Sequence, residues 1–587
     1  MKHLISRRNF LKAAGVTTAA AAMAVGAPAA SACWTGEKSE VTILYTNDVH
    51  TYIDNKSPKL TYAAIAALKQ GYVDEGKPVL LVDAGDHIQG TAYGSMDDGA
   101  TIIELMNEAG YDIATLGNHE FDYGMARAKA VIKEADFPYV SCNWVDLRTG
   151  LRVLPAVKLF PAGGKWIAFV GITTPESFTK STPAYFMNAK QTKYIYDILG
   201  GDDGKKLYDA VQKGIDKAKA LGADVIIGLG HLGVDPSSSP WTSEEVIANT
   251  TGFDAFIDGH SHTVMENKQV YDAAGKAVTL TQTGSYLANV GKMTLAEDGT
   301  ITTELISTAD VSDAAVAATA ATWVKEVDEM LGERIAVTDI NFYISDPATG
   351  KRRIRSGETN LGDFVADGIY TYFNEIEELH CDIAIMNGGG IRTDVEAGPW
   401  SFKTCKTVSP FGNVACLMSV TGQQIQDALE FGARFAGSEG KENGGFLQVA
   451  GARYTIHTGT PNTVQTNDKN VWTGSAATPR VSNVEIYDKT TGTYKPLDPN
   501  ATYALAGMNY TLRNLGDGFA MFDGATLIKD YVSEDYLVMS SYAAMFGGVD
   551  ANGLPHLASA NSPLADYPGY LLNYEDPYGA GRIQMIW

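Results

Sequence analysis

The sequence predicts an α/β protein of two domains, on three observations. The chain has 587 residues, and it is too long for one hydrophobic core because cores stop growing at roughly 250 to 300 residues. From 41 to 306, short apolar runs alternate with helical patterns, which is typical of an α/β domain. From 336 onward glycine is more frequent and strands such as 481–487 stand out, which predicts a mixed α/β (α+β) domain.

The Ala-rich stretch 312–333 predicts a connecting helix with an apolar side. We therefore predict a first domain over 34–311, a linker helix over 312–335 and a second domain over 336–587. Within the first domain, helical patterns at 62–69 and 205–221 are predicted to end at Gly71 and Gly222, since glycine commonly follows the last turn of a helix.

Residues 1–33 are predicted to be an export signal. The segment Ser-Arg-Arg-Asn-Phe-Leu-Lys at 6–12 matches the twin-arginine pattern, and an Ala-rich apolar stretch follows. A membrane anchor is the weaker alternative, because the stretch contains Gly, Thr and Pro and lacks the Leu and Ile of a spanning helix. A lipoprotein box ending at Cys33 is another alternative, in which Cys33 carries a lipid anchor. Export by this signal, with or without a lipid at Cys33, places the protein in the periplasm or at the cell surface.

Charge and cysteine content exclude two classes of function. The formal net charge of −23 disfavours nucleic acid polymers, whose phosphates need a basic surface. A small anionic substrate is compatible with it if metal ions or a few arginines supply local positive charge. Cys142, Cys381, Cys405 and Cys416 form no CxxC pair, so thiolate metal ligation has no support. Export permits disulfides among them, and burial as small apolar side chains is the alternative. Nothing in the sequence indicates an oligomeric state.

Five predicted strands of the first domain are each followed by Asp, Asn or His. These residues are Asp48 and His50, Asp86, Asn118 and His119, His231, and His260 and His262. Open α/β sheets bind ligands at the carboxyl ends of their strands, and this ligand set suits Mn²⁺, Zn²⁺, Fe²⁺ or Co²⁺. A single such residue is usually a cap or a turn residue. Five strand ends in one domain predict a metal site.

The motifs in which these residues lie resemble those of the calcineurin-like metallophosphoesterases. They are Asn-Asp-Val-His at 47–50, Gly-Asp at 85–86, Gly-Asn-His-Glu at 117–120, Gly-His at 230–231 and Gly-His-Ser-His at 259–262. The resemblance implies a four-layer α/β/β/α domain with two divalent metal ions, Mn, Zn or Co. Asp48, His50, Asp86 and His262 would hold one metal, and Asp86, Asn118, His231 and His260 the other. Thr51 stands where the family usually has Gly.

The same resemblance implies the chemistry. Two metals about 3.5 to 4 Å apart bind a bridging hydroxide that attacks phosphorus in line, so no protein nucleophile is required. His119 is similar to the family's catalytic histidine, and Asp122 to the carboxylate that orients it. The alternative role for Asp122 is that of a carboxylate in the first turn of a helix.

Four segments of the second domain resemble the 5′-nucleotidase C-terminal domain. They are 355–362, the Asn-Gly-Gly-Gly-Ile-Arg run at 387–392, Ser-Pro-Phe-Gly-Asn at 409–413 and Gly-Phe-Leu-Gln at 445–448. By this resemblance, two arginines would clamp a phosphate, two rings would stack on a nucleobase, and two polar side chains would contact base or ribose. The residues are Arg355 and Arg392, Phe411 and Tyr510, and Asn387 and Asp517. Leu515 departs from the family's Gly-Gly-Asp, and the loop is one residue longer.

These resemblances together imply an exported phosphohydrolase that removes the 5′-phosphate from nucleotides, and UDP-sugar hydrolysis is a further activity in such a family. One alternative is a 2′,3′-cyclic-nucleotide 2′-phosphodiesterase and 3′-nucleotidase, whose members tend to have Asn at the position of Asp122. A second is the twin-arginine-exported thiosulfohydrolase, whose tryptophans have no counterpart in His87-Ile88 and Glu120-Phe121. A third is a non-catalytic nucleotide-binding surface protein, which would be expected to have lost ligands.

Overall fold

A computed structural model describes residues 38–53, 60–181, 183–188, 193–438, 440–467, 469–529 and 532–587. The export signal and Cys33 lie outside these residues. Among the described helices, none combines the length and apolar character needed to cross a membrane.

The first domain contains a sheet of five strands. In order across the sheet they are Ile301–Ile306, Val290–Leu295, Val41–Thr46, Val79–Asp83 and Ile113–Ala114. The last three run parallel to one another, and the first two add antiparallel strands. Val41–Thr46 and Val79–Asp83 are buried along their whole length, which explains why they are apolar runs without alternation.

A second sheet of six strands lies in the same domain. Its order is Val264–Tyr271, Ala277–Thr283, Ala255–Ile257, Val225–His231, Lys165–Thr173 and Val157–Ala162. The four central strands are parallel, so their carboxyl ends share one edge. A separate sheet of three short strands is formed by Leu151–Arg152, Trp144–Asp146 and Tyr196–Ile198. Along the chain, these strands precede and follow the pair Val157–Ala162 and Lys165–Thr173.

Apolar side chains divide this domain into four layers. Side chains of both sheets, such as Ile43, Phe169 and Leu229, form one buried cluster between them. The outer face of the first sheet packs against helices Tyr62–Asp74, Ala100–Ala109 and Met125–Glu134. The outer face of the second packs against Lys205–Ala220 and Ser243–Ala248. The predicted α/β/β/α arrangement is confirmed.

The predicted end of the first helix is wrong. This helix continues through Gly71 to Asp74, and it is Gly76, with a φ of +69°, that follows the last turn. A glycine inside a helix costs only about 1 kcal/mol, which the buried face of residues 62–66 offsets. The second helix was predicted correctly to within one residue, since Lys205–Ala220 is followed by Gly222 at a φ of +84°.

The connecting helix spans Ala314–Leu331, and the side chain of Asp313 caps it by accepting the N–H groups of Ala315 and Val316. Trp323 Nε1 donates to the carbonyl of Tyr93 in the first domain at 2.8 Å. Lys403 of the second domain donates to Asp328 at 2.6 Å and to the Tyr93 hydroxyl at 2.6 Å. The helix is therefore bonded to both domains.

The second domain is built on two larger sheets. Leu447–Ala450, Ile383–Asn387, Thr502–Met508, Ala415–Thr421 and Thr526–Lys529 form one, and Thr493–Pro496, Val481–Asp488, Ala452–His457 and Ile583–Ile586 the other. Arg334–Thr338 pairs with Gly398–Ser401, and Gln465–Thr466 with Trp472–Gly474. Its helices include Asn360–Thr371, Phe402–Val408, Gly422–Gly432, Asn509–Leu512 and Asp535–Ala543. The predicted mixed α/β class is confirmed.

Phe364 lies at the centre of the second domain's core. It is fully buried, and its ring contacts Phe342, Trp400 and Tyr542 at centroid distances of 5.1 to 5.2 Å. We expect Phe364→Ala to lower the free energy of unfolding by about 3 to 5 kcal/mol, because it removes a large buried ring and leaves a cavity. Urea denaturation followed by tryptophan fluorescence measures this loss. Tyr271→Ala, at a position that is 65% exposed, is the control. An unchanged midpoint for Phe364→Ala would contradict the analysis.

Candidate metal and nucleotide site

The predicted ligands converge at the edge where the strands of both sheets end. Three groups of side chains offer ligand atoms that lie within 4.8 Å of one another. The groups are Asp48, His50 and His262; His50, Asp86 and His119; and Asp86, His231 and His260. Asp86 and His50 each belong to two groups, so the groups form one continuous cluster. Asn118, the remaining predicted ligand, is buried directly before His119.

Five of the seven predicted ligand residues have left-handed backbone. The φ angles are +50° at Asp48, +49° at His50, +59° at Asp86, +80° at His260 and +54° at His262. Such backbone costs a non-glycine residue roughly 1 to 3 kcal/mol and is concentrated at functional sites. Thr51, in the position where glycine was expected, also has a φ of +62°. Its hydroxyl compensates in part by accepting the N–H of Thr91 at 2.8 Å.

Glu120 holds two of the ligand loops together. Its fully buried carboxylate accepts the N–H groups of Asp86 at 2.9 Å, of His87 at 2.9 Å and of Gly117 at 2.6 Å. Asp86 in turn accepts the N–H of His119 at 2.8 Å. The sequence places Glu120 within a motif without indicating this role, since two of its three partners, Asp86 and His87, are 34 and 33 residues away.

Two histidines are oriented by backbone carbonyls. His50 donates from Nδ1 to the carbonyl of Gln89 at 2.8 Å, and His231 from Nδ1 to the carbonyl of Ala84 at 2.7 Å. A carbonyl only accepts, so Nδ1 carries the proton on both rings. Nε2 of each ring therefore faces the cluster.

The contacts inside the cluster are compatible with a bound divalent cation. Nε2 of His50 lies 3.1 Å from Nε2 of His262, and Nε2 of His231 lies 3.0 Å from Asp86 Oδ2. Asn118 Oδ1 is buried with no hydrogen-bond partner among the described residues, which is rare for a buried polar atom. Nitrogen and oxygen atoms crowded together in this way match the N and O ligands of divalent transition metals.

The pKa values show the same demand for positive charge. Burial raises the pKa of Asp48, but His262 and His231 outweigh it and bring the pKa to about 2. Burial lowers the pKa of His231, but Asp86 and Asp48 outweigh it and raise the pKa to about 10. The carboxylates of Asp48 and Asp86 are thus held in the charged form. Their negative charge favours either a bound cation or protonation of the neighbouring histidines.

His119 and Asp122 form a close pair beside this cluster. Nδ1 of His119 donates to Asp122 Oδ2 at 2.5 Å across the turn His119–Phe121. Burial lowers the pKa of His119, but the carboxylates of Asp122 and Asp86 raise it above the ordinary value. The ring is therefore fixed by its Nδ1 atom, and Nε2 remains for a substrate.

One cavity of about 910 Å³ joins the two domains. From the first domain it is lined by Asp86, Asn118, His119, Asp122, His260 and His262, and from the second by Arg355, Asn387, Arg392, Phe411, Tyr510 and Asp517. Asp48, His50 and His231 lie buried at the cluster and do not line the cavity. The ring of Phe411 is 6.0 Å from that of His119 between centroids. All six predicted substrate residues therefore line the same cavity as the predicted catalytic pair.

The two arginines predicted to bind phosphate, Arg355 and Arg392, have few anionic partners among the described residues. Arg355 Nη1 lies 4.0 Å from Glu442, and its Nε is buried without a hydrogen-bond partner in the described part of the chain. Burial and the nearby Arg352 and Arg392 lower the pKa of Arg355 to about 9. Arg392 lies over the ring of Phe411 at 5.6 Å. This charge is available to an anion in the cavity.

The remaining polar residues form a second group in the same cavity. Asn387 Nδ2 donates to Asp517 Oδ2 at 3.2 Å, and the N–H of Asp517 donates to the Tyr510 hydroxyl at 3.1 Å. Leu515, where the related domain has glycine, has a φ of +58°, and Asp517 has a φ of +54°. The loop therefore keeps the left-handed backbone that glycine would allow, at the cost of strain.

Sequence analysis missed Glu176. It follows the strand Lys165–Thr173 by three residues, at the same sheet edge as His231, and it accepts from His260 Nε2 at 2.7 Å. Burial raises its pKa, but the hydrogen bond from His260 and the charge of His260 lower it to about 2. The signal was present, because this strand also runs into polar residues. Glu176 is three positions beyond the end of the strand, however, and Thr174 and Pro175 lie between them.

The four cysteines of the described chain are buried free thiols. They lie in the cores of the two domains, where burial raises the pKa of Cys142 to about 12. Of the two alternatives for these residues, burial as small apolar side chains is the one observed.

Comparison with known families defines the class. Residues 41–264 match the calcineurin-like phosphoesterases, residues 335–524 match the 5′-nucleotidase C-terminal domain, and residues 4–24 match the twin-arginine translocation signal. The chain is therefore a metallophosphoesterase-type hydrolase with a second, nucleotidase-type domain and a signal for export by the twin-arginine route. This pair of domains makes it a member of the 5′-nucleotidase family.

Two curated relatives are similar over most of this chain. The 5′-nucleotidase of Mus musculus is 29% identical over 565 residues, which are 88% of this chain and 88% of the relative. A trifunctional nucleotide phosphoesterase of Bacillus subtilis is 27% identical over 554 residues, which are 86% of this chain and 34% of that longer protein. The chain thus spans about a third of the Bacillus protein.

Solved structures share the fold. A 5′-nucleotidase precursor from Thermus thermophilus superposes with a TM-score of 0.71 at 24% identity, covering 93% of this chain and 99% of that one. A sulfate thiohydrolase from the same species superposes with a TM-score of 0.63 at 16% identity, covering 93% and 96%. Because one fold carries both names, it does not decide the substrate.

The loop that carries Phe411 is held by a buried carboxyl group with an unusual pKa. Asp535 accepts the N–H of Asn413 at 3.2 Å and donates its own N–H to the carbonyl of Asn413 at 2.8 Å. Burial raises the pKa of Asp535 to about 7, although Lys406 opposes this. Between pH 4 and 7 the folded chain keeps a proton that the unfolded chain releases. Stability therefore falls as the pH rises through this range.

We expect Asp535→Asn to lose this part of the pH dependence. The difference in unfolding free energy between pH 4.5 and pH 7.5 should shrink by at most about 4 kcal/mol, at about 1.4 kcal/mol per pKa unit. Urea midpoints at the two pH values measure it, with the exposed Asp566→Asn as control. Equal pH dependence in the wild type and Asp535→Asn would contradict the assigned pKa.

Proposed function

We propose that this protein is an exported, metal-dependent phosphohydrolase that removes the 5′-phosphate from nucleotides. The observation that carries the proposal is the shared cavity. It is lined by the His119–Asp122 pair and by four of the predicted metal ligands, Asp86, Asn118, His260 and His262, and it is also lined by Arg355, Arg392 and Phe411 of the second domain. One wall has the groups for phosphoryl transfer, and the other has the groups for phosphate and base recognition. Its place of action is the periplasm or the cell surface.

The cofactors in this proposal are two divalent metal ions, with Mn, Zn and Co as the candidates. Asp48, His50, Asp86 and His262 would hold one, and Asp86, Asn118, His231 and His260 the other. When bound, such a pair supplies Lewis-acid activation of water and of the phosphoryl group. The crowded nitrogen and oxygen atoms of the cluster and the unpartnered Asn118 Oδ1 support this assignment.

The protein's own groups bind and orient the phosphate. Arg355 and Arg392 bring guanidinium groups that match phosphate oxygens in pairs, and a phosphate would restore the charge balance that burial of Arg355 disturbs. His119 is held through Nδ1 by Asp122. Its Nε2 is then the atom that donates to a phosphoryl oxygen or to the leaving group, where negative charge develops.

The nucleoside is recognised in the second domain. Phe411 and Tyr510 line the cavity and would stack on the base, an interaction that tolerates different bases because each has a π-face. Asp517 and Asn387, already joined by a hydrogen bond, would accept from and donate to ribose hydroxyls and the base. These groups belong to the second domain, so the proposed activity requires both domains.

We expect His119→Ala to lower kcat for 5′-AMP by about 10²- to 10⁴-fold, because a positioned proton donor is removed. The mature protein with Mn²⁺ is assayed for phosphate release from 5′-AMP and 3′-AMP and for formation of UMP and glucose 1-phosphate from UDP-glucose, with His380→Ala, at a 77% exposed side chain, as control. Metal content should stay unchanged. Preference for 3′-AMP would overturn the assigned substrate. No hydrolysis of any of the three by Mn-loaded protein would favour the non-catalytic binding protein.

We expect Phe411→Leu to raise KM for 5′-AMP about 5- to 150-fold with little change in kcat, because base stacking contributes roughly 1 to 3 kcal/mol. Steady-state kinetics measure both constants. Phe435→Leu, in the same domain and outside the lining of the cavity, is the matched control. A fall in kcat at unchanged KM would show instead that Phe411 acts on the chemical step through its neighbour His119.

A further inference from the structure

Glu176 is a buried carboxylate that the proposed mechanism does not use. Its side chain belongs to a residue that is only 4% exposed, directly before the helix Ser177–Lys180. The strand that leads to it, Lys165–Thr173, pairs in parallel with Val225–His231, and Thr173 is opposite His231. Glu176 therefore lies at the sheet edge where the metal cluster is built.

Two hydrogen bonds connect Glu176 to that cluster. Its Oε2 atom accepts from His260 Nε2 at 2.7 Å and from the Ser238 hydroxyl at 2.6 Å. A carboxylate only accepts, so Nε2 of His260 carries the proton and the lone pair of the ring is on Nδ1. His260 therefore turns Nδ1 rather than Nε2 to a ligand. Ser238 is itself 4% exposed, and both Glu176 and Ser238 belong to the lining of the cavity.

The group that orients His260 differs from the groups that orient His50 and His231. His50 and His231 are held by the backbone carbonyls of Gln89 and Ala84, which are neutral and present in any sequence. His260 is held by a charged side chain. A carboxylate behind a histidine raises the basicity of the ring as a ligand and fixes its orientation. In the ligand group of Asp86, His231 and His260, the orientation of His260 is thus set by the side chain of Glu176.

We propose that Glu176, fixed by Ser238, is a positioning residue that sets the metal affinity of the position formed by Asp86, Asn118, His231 and His260. It leaves the position formed by Asp48, His50 and His262 unaffected. This inference rests on the proposed pair of divalent ions. It assigns a function to two residues, Glu176 and Ser238, that contribute no ligand themselves.

The test is calorimetric titration of the metal-stripped, full-length mature protein with Mn²⁺. We expect two binding steps in the wild type. In Glu176→Gln, a variant of nearly the same shape, one step should weaken about 10- to 100-fold and the other should change less than about threefold. Ser238→Ala should weaken the same step by a smaller factor. The control is Glu244→Gln, which removes a surface carboxylate paired with Lys268.

The outcomes separate this inference from the proposed function. A wild type that fails to bind two Mn²⁺ ions would overturn the metal pair itself. A wild type with two steps, both unchanged in Glu176→Gln and Ser238→Ala, would overturn the role of Glu176 alone. Equal weakening of both steps, together with a lower melting temperature of the metal-free variants, would assign Glu176 to general stability and would also overturn it.

Discussion

The carboxylate of Glu120 is the interaction on which the rest of the site depends. By accepting the N–H groups of Asp86, His87 and Gly117, it joins the loop after the second parallel strand to the loop after the third. Removing a buried acceptor that serves three donors would leave those donors unsatisfied, at a cost of about 1 to 3 kcal/mol each. Asp86, the carboxylate shared between two ligand groups, thereby keeps a fixed distance from Asn118 and His119.

The strained loops are stabilised by one another. The N–H of Asp48 donates to the carbonyl of Gly85, that of His50 donates to the carbonyl of Asp86, and that of His260 donates to the Asp48 carboxylate. Each left-handed turn is thus held by a neighbouring turn from a distant part of the sequence. A site built in this way is ordered before a ligand arrives, which avoids the cost of reorganisation during binding. Because these loops bond to one another, the strands that precede them must end at the same edge.

Sequence analysis predicted the fold class and the convergence of the strand ends, because both follow from local patterns of apolar runs and polar termini. It placed the end of the first helix at Gly71, because residue type alone does not show that Gly71 stays helical and that Gly76, at a φ of +69°, is the glycine that follows the last turn. Glu120 and Glu176 escaped it for a related reason. Their partners are the backbone of other loops and His260, 84 residues from Glu176, and polar residues after a strand do not show which distant group they contact.

The position of the second domain is as important to the site as the metal cluster. Phe411 lies 6.0 Å from His119, and the connecting helix is bonded to both domains, through Trp323 to the Tyr93 carbonyl and through Lys403 to Asp328. Lys403 is in the helix that directly precedes the Phe411 loop. A shift of this helix would therefore move the Phe411 ring relative to the proposed catalytic pair, His119 and Asp122. Since a displacement of about 1 Å can cost about 10²-fold in rate, contacts of the linker helix would contribute to the proposed catalysis without touching the substrate.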